Sequence, residues 1–299
     1  MNPPKRYKLI ANPTARRGDA RSAISRVMTL FARAGVPHDL ELTSGPQEAG
    51  MIAKAACEQY DVIVAVGGDG TVNEVVQGMV FAKKPLGVIP CGSGNDFVKS
   101  LHIPPIVEKA VEILFRGETR TIDAGRINGR YFANGVGIGF DAAVTAASRS
   151  FKRIKGLPLY LAATLKALGT FHPVPMTVTL DSGTIRQDIF LLTTGNGTTC
   201  GGGFVLTPHA KVDDGLLDVT AVRPMSIPAI FRYLPDVFRG TIERVPYATM
   251  YTSRKIIVES SGRVPVHMDG ELFEENTTRY ELEVVPKALT VIGNFSESE

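Results

Sequence analysis

The sequence predicts an α/β N-terminal domain with a parallel sheet over residues 1–125, followed by a mainly antiparallel β-sandwich over residues 126–286. Three observations carry this reading. At 299 residues the chain passes the size at which a single core commonly divides. Up to about Arg116 short apolar runs alternate with helix-length segments, the texture of a parallel sheet with crossover helices. Beyond residue 120 strand-like runs follow one another with few helices between them, which reads as antiparallel.

In the first domain the strands are expected at 8–11, 39–42, 62–66 and 86–89, and the helices at 19–34, 47–59, 72–80 and 106–115. In the second, strands are expected at 131–134, 176–180, 189–194, 217–222, 255–259 and 280–285, with helices at 142–150, 157–168 and 227–238. The boundary is set near Gly125 to Gly129, where Gly-Arg-Ile-Asn-Gly has hairpin-turn chemistry. The tail 287–299 is expected to pack back on the first domain.

Composition narrows the partners. Hydrophobic residues at 44% and charged residues at 21% describe an ordinary globular chain. A net charge of +3 is too mild to call for nucleic acid, yet it suits anionic lipid or a nucleoside triphosphate. Cys57, Cys91 and Cys200 form an odd set without CxxC spacing, which argues for a reducing cytoplasm and against a disulfide framework or zinc site. No apolar stretch follows the charges of residues 1–6, and nowhere do eighteen apolar residues run together. No signal peptide or membrane span is therefore expected, and membrane contact would be peripheral. A homodimer is compatible with everything in the sequence.

Two glycine-rich loops carry the chemistry. Gly67-Gly68-Asp69-Gly70 follows an apolar strand and opens a helix. Strand, glycine turn and helix bring backbone N–H groups and a positive dipole end to an anion, although a tight turn alone uses the same residues. Thr71 with Glu74 fits a capping box at that helix start. The next strand ends in Cys91-Gly92-Ser93-Gly94-Asn95-Asp96-Phe97. With Asn12-Pro13-Thr14 and Thr43-Ser44-Gly45, four loops would line the carboxyl edge of the sheet. No Gly-Lys-Ser or Gly-Lys-Thr occurs, so this is not a P-loop.

Gly67-Gly68-Asp69-Gly70-Thr71, continuing as Val72-Asn73-Glu74-Val75, resembles the nucleotide signature of the diacylglycerol kinase catalytic domain family, which includes bacterial lipid kinases and sphingosine and ceramide kinases. Pro90 to Phe97 resembles its second signature, and Phe132-Ala-Asn134 with Gly137-Ile-Gly139-Phe140-Asp141 resembles its interdomain segment. The first signature alone is shared with NAD kinases and one phosphofructokinase group; the combination is more specific.

The resemblance implies an ATP-dependent, magnesium-requiring transfer to a lipid alcohol, diacylglycerol foremost. ATP phosphates would lie on Gly67, Gly68, Asp69, Gly70 and Thr71 and on Ser93, Gly94 and Asn95, with adenine near Thr43 and Asn12 beside the phosphates. Asp69 and Asp96, joined by Asp123, would form the catalytic magnesium network; read without the family, Asp69 could stabilise its turn and Asp96 cap a helix. In Asp269-Gly270-Glu271 the resemblance picks Glu271 as general base, whereas the residues alone leave Glu274 and Glu275 equally eligible. His267 reads as structural. The segment from Lys211 to Leu216 is a plain Asp-Gly turn on its residues; by resemblance it is a structural magnesium loop using Asp214 and the carbonyls of Lys211 and Leu216.

Arg149, Lys152, Arg153 and Lys155 precede the apolar run 157–168, either a membrane-docking cluster or a solvated approach to a helix packed on the sheet. Two other readings compete with a lipid kinase. An NAD kinase-like enzyme would share the first loop, and a non-catalytic lipid- or nucleotide-binding regulator would be expected to lack Asp69, Asp96 or Glu271, all of which are present.

Overall fold

In a computed structural model, which describes residues 4–15, 20–151 and 157–296, the chain divides into two units. One comprises Met1–Ala124 with Pro286–Glu299, the other Gly125–Val285.

The first unit runs β1 (Tyr7–Ala11), helix Ala20–Ala34, β2 (His38–Leu42), helix Glu48–Ala56, β3 (Val62–Gly67), helix Asp69–Met79, β4 (Pro85–Pro90), helices Phe97–Ser100 and Val107–Arg116, and the start of β5 (Thr119–Ile127). The sheet order is β2-β1-β3-β4, every pair parallel. All six residues of β3 are buried, which requires cover on both faces and explains why Val-Ile-Val-Ala-Val shows no alternation. Helix Ala20–Ala34 buries Ile24, Val27 and Phe31, spaced three and four apart. Phe31 meets Tyr7 and Phe115 edge-on at 5.6 and 4.9 Å, fixing that helix between β1 and helix Val107–Arg116.

The second unit continues through the Asn128-Gly129 turn, with φ of 43° and 88°, into β6 (Arg130–Phe132). Next come β7 (Gly135–Gly139), helices Phe140–Ser148 and Leu157–Leu168, β8 (Val174–Leu180), β9 (Gly183–Ile189), β10 (Leu191–Gly195), β11 (Thr199–Cys200) and β12 (Phe204–Val205). The remainder is β13 (Leu217–Val222), helix Ile227–Arg239, β14 (Ala248–Ser253), β15 (Lys255–Ser260), β16 (Val266–Met268), β17 (Glu271–Leu272) and β18 (Arg279–Ile292). One antiparallel sheet has the order β14-β13-β10-β7-β16-β17, and a second runs β18-β15-β8-β9. Val136, Ile138, Leu192 and Val219 of the first meet Met176, Val178, Ile256 and Leu282 of the second in one buried cluster, the core of a β-sandwich.

Two strands differ from expectation. The run 189–194 reads as one strand, but the chain changes sheets at Phe190: β9 pairs with β8 and β10 with β13. The last strand extends past Pro286 to Ile292, where Thr290 and Val291 pair in parallel with β4 of the first unit's sheet. Residues 286–292 thus add a strand to that sheet, and Phe81 donates its N–H to the Ala288 carbonyl beside them.

Candidate functional site

Register aligns the loops at the sheet's carboxyl edge. Leu42, Ala11 and Val66 are neighbours across β2, β1 and β3, and Gly67 pairs with Pro90. The loops starting at Asn12, Thr43, Gly67 and Cys91 therefore leave the sheet within one residue of a common level. Asn12 closes its own turn by accepting the Thr14 N–H and hydroxyl at 2.9 and 2.7 Å. Thr43 is buried and donates its N–H to the Ala11 carbonyl at 2.9 Å. Glu48 accepts the N–H groups of Ser44 and Gly45 and the Ser44 hydroxyl; the Ser44 N–H, first among these bonds, holds its carboxyl below the ordinary value.

The two glycine loops lie back to back. A methyl on Gly92 would come 2.5 Å from the Gly68 α-carbon, closer than non-bonded carbons approach, so the contact exists because neither residue has a side chain. Cys91 donates its N–H to the Gly67 carbonyl at 2.7 Å. Asp69 locks the arrangement: its two carboxylate oxygens accept the N–H groups of Asn95 at 2.8 Å and Asp96 at 2.7 Å. Asn95, at φ 50°, folds its amide back onto both backbone groups of Gly92. Ser93 at the tip is exposed, while Gly70 and Gly94 are half-buried.

The helix after the first loop begins at Asp69, three residues before the expected start, with Gly68 as N-cap and no side-chain cap. Its first turn therefore offers the N–H groups of Gly70 and Thr71 ahead of the Val72 N–H to Gly68 carbonyl bond. The expected capping box is overturned. Glu74 instead accepts the Ala49 N–H at 3.2 Å from the neighbouring helix, and Thr71 is buried where a methyl on Gly67 would strike it. Asp96 precedes its short helix without capping it and pairs with Lys99 at 2.7 Å. Asp123 is buried and accepts the Lys287 N–H at 2.8 Å.

In the second unit Asp269 and Gly270, at φ 49° and 81°, form the two-residue turn between β16 and β17. The turn separates its two carboxylates by role. Asp269 is buried and accepts the N–H groups of Ala133, Asn134 and Gly135 at 2.8 to 3.0 Å. Glu271 projects into solvent and meets Arg149 at 2.9 Å. Glu275 accepts the Asn128 side-chain amide at 2.6 Å; Glu274 lies with it on the rim of a cavity of about 450 Å³ floored by Val266, Leu272, Phe273 and Tyr280. Of the basic cluster, Lys152, Arg153 and Lys155 lie outside the described residues.

Sequence reasoning named His267 as structural but missed its partner. His267 stands 3.3 Å from Asp141, which also accepts the Thr193 hydroxyl at 3.2 Å. A methyl on Gly137 would overlap both Asp141 and His267, so Gly137 of the interdomain segment is the space in which this pair sits. It also missed Asp218, buried on β13, whose carboxyl is pushed up to about 6 by burial and then by the charge of Asp214, with His209 opposing. The available signal was a single charged residue, Asp218, inside the strand-like run Leu-Asp-Val-Thr-Ala-Val. Asp214 accepts the Leu216 N–H at 3.0 Å, an Asx turn at the head of that strand.

Among the described residues no three His, Cys, Asp or Glu side chains converge as a metal cage. Asp69 accepts the N–H of Asp96, so two carboxylate residues adjoin at the loop edge, donors of the type a hard cation takes when phosphate and water complete its shell. Also among the described residues, no helix is long and apolar enough to cross a membrane.

The diacylglycerol kinase catalytic domain matches residues 6–127, and the YegS C-terminal NAD kinase beta sandwich-like domain matches residues 134–293. The chain is 30% identical over 272 residues to the diacylglycerol kinase of Bacillus subtilis, covering 89% of this chain and 90% of that one. With the diacylglycerol kinase of Mycobacterium tuberculosis it shares 31% over 293 residues, 95% and 93% of the two chains. A solved diacylglycerol kinase structure from Bacillus anthracis superposes with a TM-score of 0.76 over 98% of each chain; at 24% identity this likeness concerns the fold alone. A glycine-loop domain joined to that sandwich, matched along most of its length, places this chain in the diacylglycerol kinase and YegS-like family of lipid kinases.

Proposed function

We propose that this lipid kinase transfers the γ-phosphate of ATP to the hydroxyl of diacylglycerol, giving phosphatidic acid and ADP. The observation that carries the reading is the pair of back-to-back glycine loops held together by Asp69 at the carboxyl edge of a parallel sheet. Backbone N–H groups at Gly70 and Thr71 would hold phosphate oxygens, with Gly67, Gly68, Ser93, Gly94 and Asn95 shaping the cradle. Thr43 would border the adenine and Asn12 the phosphates. Asp69 fixes the relative position of the two loops, and with Asp96 and Asp123 would supply the carboxylates around magnesium. Bound ATP and magnesium supply the transferable phosphoryl group and neutralise its charge.

Glu271 would accept the hydroxyl proton as the acceptor oxygen bonds to phosphorus and the bond to the ADP oxygen breaks. Its exposure supports this role, since Asp269 is consumed by three backbone N–H groups. Asp214 and the carbonyls of Lys211 and Leu216 would hold a structural magnesium in the loop before β13. ATP consumption with detergent-dispersed diacylglycerol, monoacylglycerol, long-chain base, polyprenol and phosphatidylglycerol, and separately with NAD, tests the reading once product masses are identified. Phosphatidic acid is the expected product. NADP in place of any lipid phosphate would overturn it.

A further inference from the structure

Helix Ile227–Arg239 has eight aliphatic or aromatic residues among thirteen, yet buries none of them. Ile230, Tyr233 and Val237 rest, half-buried, on the smaller core cluster of the second unit. Facing away are Ile227 and Phe231, exposed at 52% and 42%, while Phe238, still 41% exposed, lays its ring against Phe204 at 4.7 Å. At about 100° per residue these three fall within roughly 40° of one another, a stripe along the whole helix. Arg232 and Arg239 follow on the side of the stripe remote from the packed face. Among the described residues neither arginine is in an ion pair; Arg232 contacts only the neighbouring Tyr233 ring, and the helix's single carboxylate, Asp236, turns to Thr241. Helix Leu157–Leu168 packs Ala163 and Ala167 into the same cluster and exposes Leu161 and Leu165.

We infer that the outward face of helix Ile227–Arg239 is a membrane-docking surface that inserts Ile227 and Phe231 at the acyl boundary and sets Arg232 and Arg239 on anionic headgroup phosphates. The occupant follows from the pattern. An apolar stripe bordered by arginines without acidic partners is the arrangement of a helix lying in the bilayer interface. The face is a single convex helix rather than a groove, so it offers a protein partner no cleft, whereas a fluid acyl layer conforms to it. This inference rests on the reading of a lipid acceptor, because an enzyme taking its substrate from a bilayer must reach that surface. The helix lies about seventy to eighty residues after the basic segment 149–155, for which membrane docking is one of two readings.

Co-sedimentation with phosphatidylglycerol/phosphatidylcholine vesicles, without nucleotide, tests it. The double variant Ile227→Ser, Phe231→Ser should lose at least tenfold in vesicle partition while keeping its melting temperature, both positions being exposed. Its turnover on detergent-dispersed lipid should stay within about twofold of wild type. Arg232→Gln with Arg239→Gln should weaken binding severalfold on anionic vesicles, less in high salt, and not at all on pure phosphatidylcholine. Unchanged partition of the serine variant overturns the inference. So does a wild-type dimer that the same variant converts to monomer with vesicle binding intact, which would make the face a contact between copies. Since binding is read without turnover, absence of any lipid product would defeat the acceptor reading while the docking result stands or falls by itself.

Discussion

Arg149 and Glu271 face each other at 2.9 Å, with 51% and 62% of their side chains open to solvent. A half-exposed pair of this kind contributes no more than about 1 kcal/mol to stability, so its effect should be on where the carboxylate points. Arg149→Gln should leave the melting temperature nearly unchanged and lower kcat less than tenfold. A fall in vesicle binding in place of turnover would assign Arg149 to the membrane.

Asp69 accepts two backbone N–H groups, one on each oxygen. Asparagine keeps the shape but turns an NH₂ against one of those donors. Asp69→Asn should therefore cost about 1–3 kcal/mol of stability, the range for a buried donor left unmatched, as well as at least a hundredfold in kcat. Denaturant unfolding beside kinase assays separates the two losses. Activity within tenfold of wild type would remove Asp69 from the phosphate site.

The contact between Gly68 and Gly92 gives a second way to disturb the cradle without touching a charge. Gly92→Ala places a methyl against the Gly68 α-carbon and must part the loops. Overpacking of this order costs about 1–3 kcal/mol. The expected signature is a raised KM for ATP with little change in the KM for lipid. An unchanged KM for ATP would show that loop spacing does not set nucleotide binding.

Asp218 ties stability to pH. Its folded value of about 6 lies above the unfolded 3.8, so the native state holds the proton more tightly between these values. Its contribution is complete below pH 3.8 and is lost as pH rises through 6. Asp218→Asn, with metal removed by chelator, should accordingly gain on wild type across that window, by at most about 3 kcal/mol at one pKa unit per 1.36 kcal/mol. Melting curves at pH 4 and pH 7.5 check this. An equal difference at both pH values would contradict it.

The parallel sheet is readable because β3 is buried on both faces and so is apolar at every position, a pattern that needs no partner to interpret. Sheet switching at Phe190 is not, because Ile189 to Leu192 is apolar throughout while period-two alternation is the only mark of a face. Pro286 hid the second half of β18: a proline lacks the N–H a central strand donates, yet here the chain passes through it to pair with β4. At the site, the glycine loops announce themselves by composition, but Asp69 does not reveal from sequence that it clamps the second loop, twenty-six residues away. The same limit applies to Asp141 and His267, which meet only after β7 and β16 pair at Gly137.

The turn between β16 and β17 allows the sharpest test, because two carboxylates of opposite environment, Asp269 and Glu271, flank its Gly270. Asp269 is bound by three N–H groups from residues 133–135, so Asp269→Asn should destabilise the fold by roughly 1.5–3 kcal/mol for each charged hydrogen bond it fails to replace. Glu271 has only the exposed contact with Arg149, so Glu271→Gln should leave the melting temperature alone. If Glu271 takes the proton from the acceptor hydroxyl, the same change should lower kcat by about two to four orders of magnitude with little change in the KM for ATP. Glu274→Gln is the control: it alters a carboxylate three residues on, at the rim of the neighbouring cavity, and should leave turnover close to wild type. A loss confined to KM in Glu271→Gln would contradict proton transfer there, and a large kcat loss in Glu274→Gln alone would move the base to that residue.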